Sequence, residues 1–300
     1  MDKFGRLLTA MVTPFTRNDE VDYPQARRLA RALIDSGNDG VVVAGTTGES
    51  PTLSHEEKLR LFAEVKQEIG NRGVVVAGTG NYSTRESVQM SKEAQAVGVD
   101  GVLLVVPYYN KPTPEGLYLH FKAIAEGVSI PCILYNVPTR TSRNMPADTT
   151  IKLSKIPNII GTKEAAGDMG QVAEIVENAR PGFKVWSGDD KDTINVLATG
   201  GHGVISVAGH LVGKQIKAMI AAFTSGNVQE AARIHRNLLP LVNALFIVTN
   251  PIPVKHALNK VGFQVGEPRL PLVSADAKTA AAIDAVLKGY TIDLPAAVKA

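Results

Sequence analysis

Residues 84–137 read TRESVQMSKEAQAVGVDGVLLVVPYYNKPTPEGLYLHFKAIAEGVSIPCILYNV and contain the pattern that decides the fold. In this stretch two amphipathic segments, Thr84–Val97 and Pro114–Glu126, alternate with two short apolar runs, Gly101–Pro107 and Cys132–Val137. Apolar residues at helical spacing indicate helices with one covered face. Near-continuous runs of Val, Ile and Leu are typical of parallel strands that are buried on both faces. The stretch therefore predicts two consecutive helix–strand units of a parallel α/β fold.

The same alternation continues in both directions along the chain. Six more apolar runs predict strands at Leu7–Thr13, Gly40–Ala44, Gly73–Gly78, Ile159–Lys163, Lys184–Ser187 and Gly203–Val207. Amphipathic segments between them predict helices at Pro24–Ser36, Ser54–Ile69, Ala147–Lys155, Met169–Ala179 and Asp190–Thr199. A doubly wound open sheet would also alternate, but eight regular units favour a closed (β/α)8 TIM barrel.

After the eighth predicted strand the pattern changes to helices alone. These are predicted at Lys214–Phe223, Val228–Val248, Pro253–Val261 and Ala275–Leu287. We therefore expect an α/β protein in which residues 1–225 form a catalytic (β/α)8 barrel and residues 226–300 form a C-terminal helical domain. Because no linker rich in Pro, Gly and Ser separates the two parts, the helical domain is expected to pack on the barrel.

Composition and charge exclude several classes of protein. Of 300 residues, 44% are hydrophobic and 20% are charged, which excludes a mainly disordered chain. The net charge of +3 gives no electrostatic reason to bind nucleic acid or a membrane surface. The two longest uncharged runs, Thr193–Gly213 and Asn237–Val254, contain glycines or prolines that break a spanning helix. With one cysteine, Cys132, and no visible targeting segment, we expect a cytoplasmic protein.

In a parallel barrel, functional groups lie at the carboxyl ends of the strands and in the loops that follow. The second predicted strand is followed by Gly45-Thr46-Thr47-Gly48-Glu49-Ser50, whose hydroxyls and amides suit an anion such as a carboxylate. An ordinary turn with helix-capping residues explains this run slightly better when it is taken alone. The tyrosines of Pro107–Pro112 and Tyr135–Thr141 also fit purely structural roles, and Arg140 alone fits a surface residue. Together on neighbouring loops they favour a site.

Lys163 ends the sixth apolar strand at the face where catalysis is expected. Burial disfavours the ammonium form of such a lysine, and a neutral amine attacks carbonyls to form a Schiff base. A lysine that merely extends to solvent is equally consistent with this position. Asp189 and Asp190 fit helix N-caps better than metal ligands, and we find no metal-binding, dinucleotide-binding or serine-nucleophile motif. Lysine chemistry without a metal or cofactor is the prediction that remains.

A set of motifs at the strand ends identifies a family. They are Gly45-Thr46-Thr47-Gly48-Glu49, Tyr108-Tyr109-Asn110-Lys111-Pro112, Tyr135-Asn136-Val137-Pro138 with Arg140, Gly161-Thr162-Lys163-Glu164, and Ser187-Gly188-Asp189-Asp190 followed by Gly203-Val204-Ile205-Ser206. Because all these motifs occur in this order, the chain resembles the dihydrodipicolinate synthase family of pyruvate-dependent class I aldolases, which is related to N-acetylneuraminate lyase. The resemblance implies a lyase that condenses pyruvate with L-aspartate 4-semialdehyde in the first committed step of diaminopimelate and L-lysine biosynthesis.

The resemblance also implies roles for individual residues. Lys163 forms the Schiff base and Tyr135 is the proton donor and acceptor. Thr46 is a proton relay, as is Tyr109, which reaches in from a neighbouring subunit. The substrates are bound by Thr46, Thr47, Arg140, Gly188 and Ile205. No metal or cofactor takes part.

Assembly and regulation follow from the same resemblance. It implies a homotetramer built as a dimer of tight dimers. Some relatives are inhibited by L-lysine, and the matching positions here are Ser50, His55, Tyr82, Glu86 and Tyr108. Sensitive members carry Asn at the position of Tyr82, and Pro51 and Lys58 also differ from their pattern. We therefore expect weak or absent inhibition by lysine.

Two other functions fit part of the sequence. A sister aldolase that cleaves N-acetylneuraminate or a 2-keto-3-deoxy sugar acid would share Lys163 and Tyr135. The sialic acid branch usually has Ser in place of Thr46, and both rival branches usually lack the equivalent of Arg140, so these two residues favour the synthase. A non-catalytic keto-acid-binding barrel is disfavoured by the retained lysine and tyrosines.

Overall fold

The computed structural model describes residues 4–295, and eight short strands lie within them. The strands are β1 (Leu7–Ala10), β2 (Gly40–Val43), β3 (Val74–Gly78), β4 (Gly101–Val105), β5 (Cys132–Asn136), β6 (Ile159–Glu164), β7 (Lys184–Ser187) and β8 (Gly203–Ser206). Nearly every strand residue is buried, as the continuous apolar runs require. The strands form a closed barrel in sequence order, and every strand pairing that we describe is parallel. The predicted (β/α)8 fold is confirmed.

Helices connect the strands and continue after β8. They are α1 (Tyr23–Asp35), α2 (His55–Ile69), α3 (Thr84–Val97), α4 (Pro114–Glu126), α5 (Pro138–Thr141), α6 (Ala147–Ser154), α7 (Met169–Asn178), α8 (Thr193–Ala198), α9 (Gly209–Thr224), α10 (Val228–Ala244), α11 (Ile252–Lys260) and α12 (Ala277–Leu287). From residue 207 to residue 295 every regular element is a helix, so the C-terminal helical extension is also present. Across the described residues, none of the helices has both the length and the apolar character that a membrane crossing requires.

Local sequence signals explain where several helices begin. Ser54 caps α2 through its side chain, which accepts a hydrogen bond from the Glu57 amide, and the Glu57 carboxylate accepts one from the Ser54 amide. This reciprocal capping box satisfies two amides that would otherwise have no partner at the helix start. Asp22 and Ser83 cap α1 and α3 with single bonds of the same kind.

The described residues divide into two compact units. One contains the chain up to Val75 together with the residues from Ser206 onward, and the other is Val76–Ile205. In the second unit, buried side chains of α6, α7 and α8 pack with Val185 of β7 to form a cluster outside the strands. Such packing excludes water from one face of each helix and holds the carboxyl ends of the strands in place.

Candidate active site

Lys163 and Tyr135 lie directly opposite each other on the neighbouring strands β6 and β5. Both side chains are buried, each with 5% of its surface exposed. The Lys163 Nζ atom lies 4.4 Å from the centre of the Tyr135 ring. The structure therefore brings together a buried amine and a phenol at the carboxyl ends of two strands.

Gly188 keeps the space beside Lys163 free of side-chain atoms. It follows β7, and its amide donates a 2.7 Å hydrogen bond to the Glu164 carbonyl oxygen. A Cβ atom at this position would lie 3.2 Å from Lys163 Cε and 2.6 Å from Ala165 Cβ. Glycine is thus required for this approach of the two strand ends. Ile205, predicted to bind substrate, is fully buried in β8.

Glu164 follows Lys163 in β6, and because successive strand side chains point to opposite faces, its carboxylate points away from Lys163. The carboxylate accepts two hydrogen bonds from Asn136 Nδ2, at 3.0 and 3.2 Å. It accepts two more, from Gln171 Nε2 at 3.1 Å and from the Ala166 amide at 2.9 Å. Burial raises the pKa of Glu164 to about 7, while these hydrogen bonds act in the opposite direction.

Asn136 joins this carboxylate to the loop that follows β5. Its Oδ1 atom accepts a 3.0 Å hydrogen bond from the Met145 amide, and its carbonyl oxygen accepts one from the Ala165 amide. Asn136 and Glu164 are paired in register, one position beyond Tyr135 and Lys163. Neither residue was predicted to have a role, although a carboxylate at the end of an apolar strand was a visible signal in the sequence.

Tyr109 and Arg140 lie on exposed segments of the same unit. The Tyr109 side chain is 92% exposed, and its φ angle of 69° is in the left-handed region. Arg140 lies in the last turn of α5, directly after β5, and is also exposed. The predicted roles of Tyr109 and Arg140 remain predictions.

Three residues of the predicted lysine site lie in this unit. The rings of Tyr82 and Tyr108 meet edge to face, with their centres 5.1 Å apart. Burial is the main cause that raises the pKa of Tyr108. Glu86 accepts a 3.0 Å hydrogen bond from Asn81 Nδ2. The other two predicted residues, Ser50 and His55, belong to the first unit, where Ser50 begins a short 3-10 turn and His55 begins α2.

The loop after β2 is fixed by hydrogen bonds from distant parts of the first unit. Thr47 is buried, and its Oγ1 atom accepts a 2.8 Å hydrogen bond from Asn250 Nδ2. The Gly48 carbonyl oxygen accepts a 2.7 Å hydrogen bond from Thr13 Oγ1. Thr46 is partly buried. The arrangement is more than an ordinary turn, because partners far away in sequence hold it.

Glu49 ends this loop and is held by an ion pair that the sequence analysis missed. Its Oε1 atom lies 2.6 Å from Lys255 Nζ, and its Oε2 atom accepts a 2.9 Å hydrogen bond from the Arg269 amide. The available signal was a single charged residue in the apolar run Ile252-Pro253-Val254-Lys255. Within residues 4–295, no group of three or more His, Cys, Asp and Glu side chains is arranged to hold a metal ion.

A sequence model of the Dihydrodipicolinate synthetase family matches residues 3–290. The chain belongs to the dihydrodipicolinate synthetase family. A 4-hydroxy-tetrahydrodipicolinate synthase from Dehalococcoides mccartyi is 61% identical over 295 residues, which cover 98% of this chain and 99% of the relative. One from Moorella thermoacetica is 56% identical over 286 residues, covering 95% and 98%.

Solved structures agree with this family assignment. A dihydrodipicolinate synthase from Bacillus anthracis superposes with a TM-score of 0.95 at 44% identity, over 97% of this chain and 100% of that one. A family member from Cyanidioschyzon merolae, solved with lysine bound, also gives a TM-score of 0.95 at 44% identity, over 96% and 99%. The predicted family resemblance is confirmed across nearly the whole chain.

Proposed function

We propose that this protein condenses pyruvate with L-aspartate 4-semialdehyde, the reaction of a 4-hydroxy-tetrahydrodipicolinate synthase. The observation that carries the proposal is the Lys163 amine, buried at a strand end beside the Tyr135 ring. The relatives that cover nearly the whole chain at more than half identity support this choice of substrates.

The chemistry follows from the reactivity of a lysine amine toward a ketone. Lys163 Nζ adds to the ketone carbon of pyruvate, and loss of water leaves an imine. The imine accepts the electron pair that remains when the methyl group loses a proton, which gives an enamine. The enamine carbon then bonds to the aldehyde carbon of the semialdehyde, so that the aldehyde oxygen takes up a proton and becomes a hydroxyl while the imine forms again. Finally, the amine of the semialdehyde attacks the imine carbon and closes the ring, its proton passes to Lys163 Nζ, and Lys163 leaves as the free amine.

The proton transfers and the two carboxylates call for further groups. We assign proton donation and acceptance to Tyr135, with Thr46 and Tyr109 as relays. The hydroxyl and amide groups of Thr46 and Thr47 bind the pyruvate carboxylate, and Gly188 and Ile205 contribute backbone groups. The Arg140 guanidinium, with its fork of N–H donors, binds the carboxylate of the semialdehyde.

Assembly, location and regulation form part of the same proposal. The exposure of Tyr109 agrees with a side chain that reaches into the site of a neighbouring subunit in a homotetramer. A cytoplasmic location fits a biosynthetic enzyme with one buried free thiol, Cys132. We also propose that residues 226–300 are a helical domain distinct from a barrel at 1–225. Because a tyrosine stands at position 82, we expect weak or absent inhibition by lysine.

Borohydride trapping tests the mechanism. Incubation with pyruvate and borohydride is expected to reduce the imine to a stable secondary amine on Lys163, which mass spectrometry of peptides locates. Lys163→Arg should abolish both the adduct and turnover, whereas Lys184→Arg, at the start of β7, should leave both unchanged. An adduct on a different lysine, or no added mass, would contradict the proposal.

Substrate choice separates the synthase from its sister aldolases. In a coupled assay, pyruvate with aspartate semialdehyde is expected to turn over, and sialic acid or keto-deoxy sugar acids are not. Arg140→Ala should impair use of the semialdehyde far more than formation of the pyruvate imine, with the exposed Arg236→Ala as the matched control. Turnover of the sugar acids alone would replace this proposal with the sister activity.

A further inference from the structure

The ion pair between Lys255 and Glu49 is the most deeply buried ion pair that we describe. The Lys255 side chain is 0% exposed and the Glu49 side chain is 1% exposed. Removal of two charges from water costs free energy that their attraction does not always recover. A pair in this position therefore needs a reason beyond stability.

The pair holds the end of the loop that carries Thr46 and Thr47. Glu49 lies two residues after Thr47, and Lys255 lies on α11, in the helical part that follows the strands. Asn250, just before the same helix, donates to Thr47 Oγ1 at 2.8 Å. Two contacts from one C-terminal segment thus fix both the hydroxyl of Thr47 and the carboxylate that follows it.

The backbone of this loop also needs restraint. Ala44 and Glu49, which bracket Gly45–Gly48, have φ angles of 51° and 56°, in the left-handed region that L residues rarely adopt. Residues persist in this region where their surroundings determine the conformation. The ion pair supplies such surroundings at Glu49, with a second bond from the Arg269 amide at 2.9 Å.

Lys255 is itself fixed in position by other contacts. Its Nζ atom donates a 3.1 Å hydrogen bond to the Glu267 carbonyl oxygen and lies 4.1 Å from the centre of the Phe15 ring. Burial lowers the pKa of Lys255, and the adjacent Glu49 carboxylate opposes that shift. The ammonium is therefore a rigid anchor for the Glu49 carboxylate.

We propose that Glu49 and Lys255 are positioning residues, which hold the Thr46-Thr47 hydroxyls and amides in the orientation that binds the carboxylate of pyruvate. The inference rests on the proposed function and adds to it a structural element outside the strand ends. It predicts that loss of the pair weakens pyruvate binding and also slows the chemical step through the Thr46 relay, whereas binding of the semialdehyde carboxylate depends on Arg140.

The test compares Glu49→Gln, Lys255→Met and the double variant. Each single variant leaves one buried charge without its partner, so both stability and KM are expected to change. The double variant keeps the side-chain volumes and removes both charges, so it should recover part of the stability that the single variants lose. Its KM for pyruvate is nevertheless expected to stay about tenfold above that of the wild type, which corresponds to pyruvate binding weakened by about 1.4 kcal/mol. Its kcat is expected to fall as well, because Thr46 is also a proton relay, whereas its KM for the semialdehyde should change about twofold or less.

Lys217→Met is the matched control, because Lys217 pairs with Asp39 at 2.8 Å on the surface of the same unit. It should keep the wild-type KM for pyruvate. A folded double variant with a wild-type KM overturns the inference, and so does a double variant that does not fold, since the pair would then serve folding itself. A wild type that forms no borohydride adduct with pyruvate would instead overturn the proposed function, and this inference with it.

Discussion

Two buried glutamates, Glu49 and Glu164, lie in different units, and their carboxylates have different kinds of partner. Each has 3% of its surface exposed. Glu164 directly follows Lys163, and Glu49 lies two residues after Thr47. Glu49 is paired with the ammonium of Lys255 at 2.6 Å. Glu164 accepts hydrogen bonds from two side-chain amides and one backbone amide, all of which are neutral.

The difference determines how each carboxylate responds to pH and to substitution. Burial disfavours the charged form of a carboxylate, and hydrogen bonds from neutral donors offset only part of that cost. The protonated form of Glu164 is therefore favoured, and its pKa rises to about 7. A carboxylate beside a buried cation forms a unit in which each charge depends on the other. We therefore expect Glu49 to be sensitive to the loss of its partner and Glu164 to be sensitive to pH.

The largest expected effect is on stability when Lys255 loses its charge. Lys255→Met leaves the Glu49 carboxylate buried without a cation and should lower the free energy of unfolding by about 3–5 kcal/mol. Gln171→Leu, which removes one neutral donor from Glu164, should cost only about 1–3 kcal/mol. Guanidinium titrations of both variants at about pH 7.5 measure the two losses in the free energy of unfolding. Equal losses would remove the distinction between the two carboxylates.

The second effect is a pH dependence that belongs to Glu164. Its pKa rises from an ordinary value of 4.5 to about 7 on folding, so between these values the native state binds more protons than the unfolded state. The contribution to stability is fully present below pH 4.5 and is lost as the pH rises through 7. The lost stability is about 3 kcal/mol, at 1.36 kcal/mol for each pH unit.

The contribution of Glu164 is isolated by subtracting the free energy of unfolding of Glu164→Gln from that of the wild type at each pH. The pKa values of the buried His120 and His210 are lowered to about 4, so stability from these neutral rings is lost as the pH falls from 6.5, which is the opposite sign. Both histidines are present in wild type and in Glu164→Gln, so their effects cancel when the two curves are subtracted. The free energy of unfolding of the wild type, relative to that of Glu164→Gln, should therefore fall as the pH rises from about 4 to about 8. A flat difference would show that Glu164 titrates normally.

Local sequence signals predicted the elements whose ends are fixed by their own residues. The bounds of α3 and α4 agree with the prediction, because Ser83 and Thr113 cap their starts and Gly98 ends α3. By contrast, α9 begins at Gly209, before the predicted Lys214. The Gly209 amide donates a 2.7 Å hydrogen bond to Ser206 Oγ, and the backbone leaves helical geometry at Val212. A contact with the preceding strand thus outweighed the low helix propensity of glycine.

In the predicted site, too, local signals could be recognised in the sequence and long-range partners could not. Lys163 could be recognised because it alone ends an apolar strand at the expected face, and its register with Tyr135 follows from the barrel. Lys255 stood out only as a charge in an apolar run, and its pairing could not be predicted, since Glu49 lies far away in sequence and only the folded chain buries both. Four-residue α5 was missed because one turn that begins at Pro138 has no measurable periodicity. Long-range partners and single turns require the structure.

The smallest expected effect tests whether the donors around Glu164 hold β5 in place. Cys132 begins β5, and burial raises the pKa of its thiol to about 12, so a thiol reagent should not label the native protein at about pH 8. Glu164→Ala removes the acceptor of Gln171 Nε2 and of the Ala166 amide, and leaves Asn136 Nδ2 with Asn144 Oδ1 as its main acceptor. It should speed labelling by about tenfold, which is about 1.4 kcal/mol of easier opening. The exposed Glu174→Ala on α7 should label at the wild-type rate. Equal rates in all three proteins would mean that β5 opens independently of Glu164, and that the comparison with Glu49 concerns charge alone.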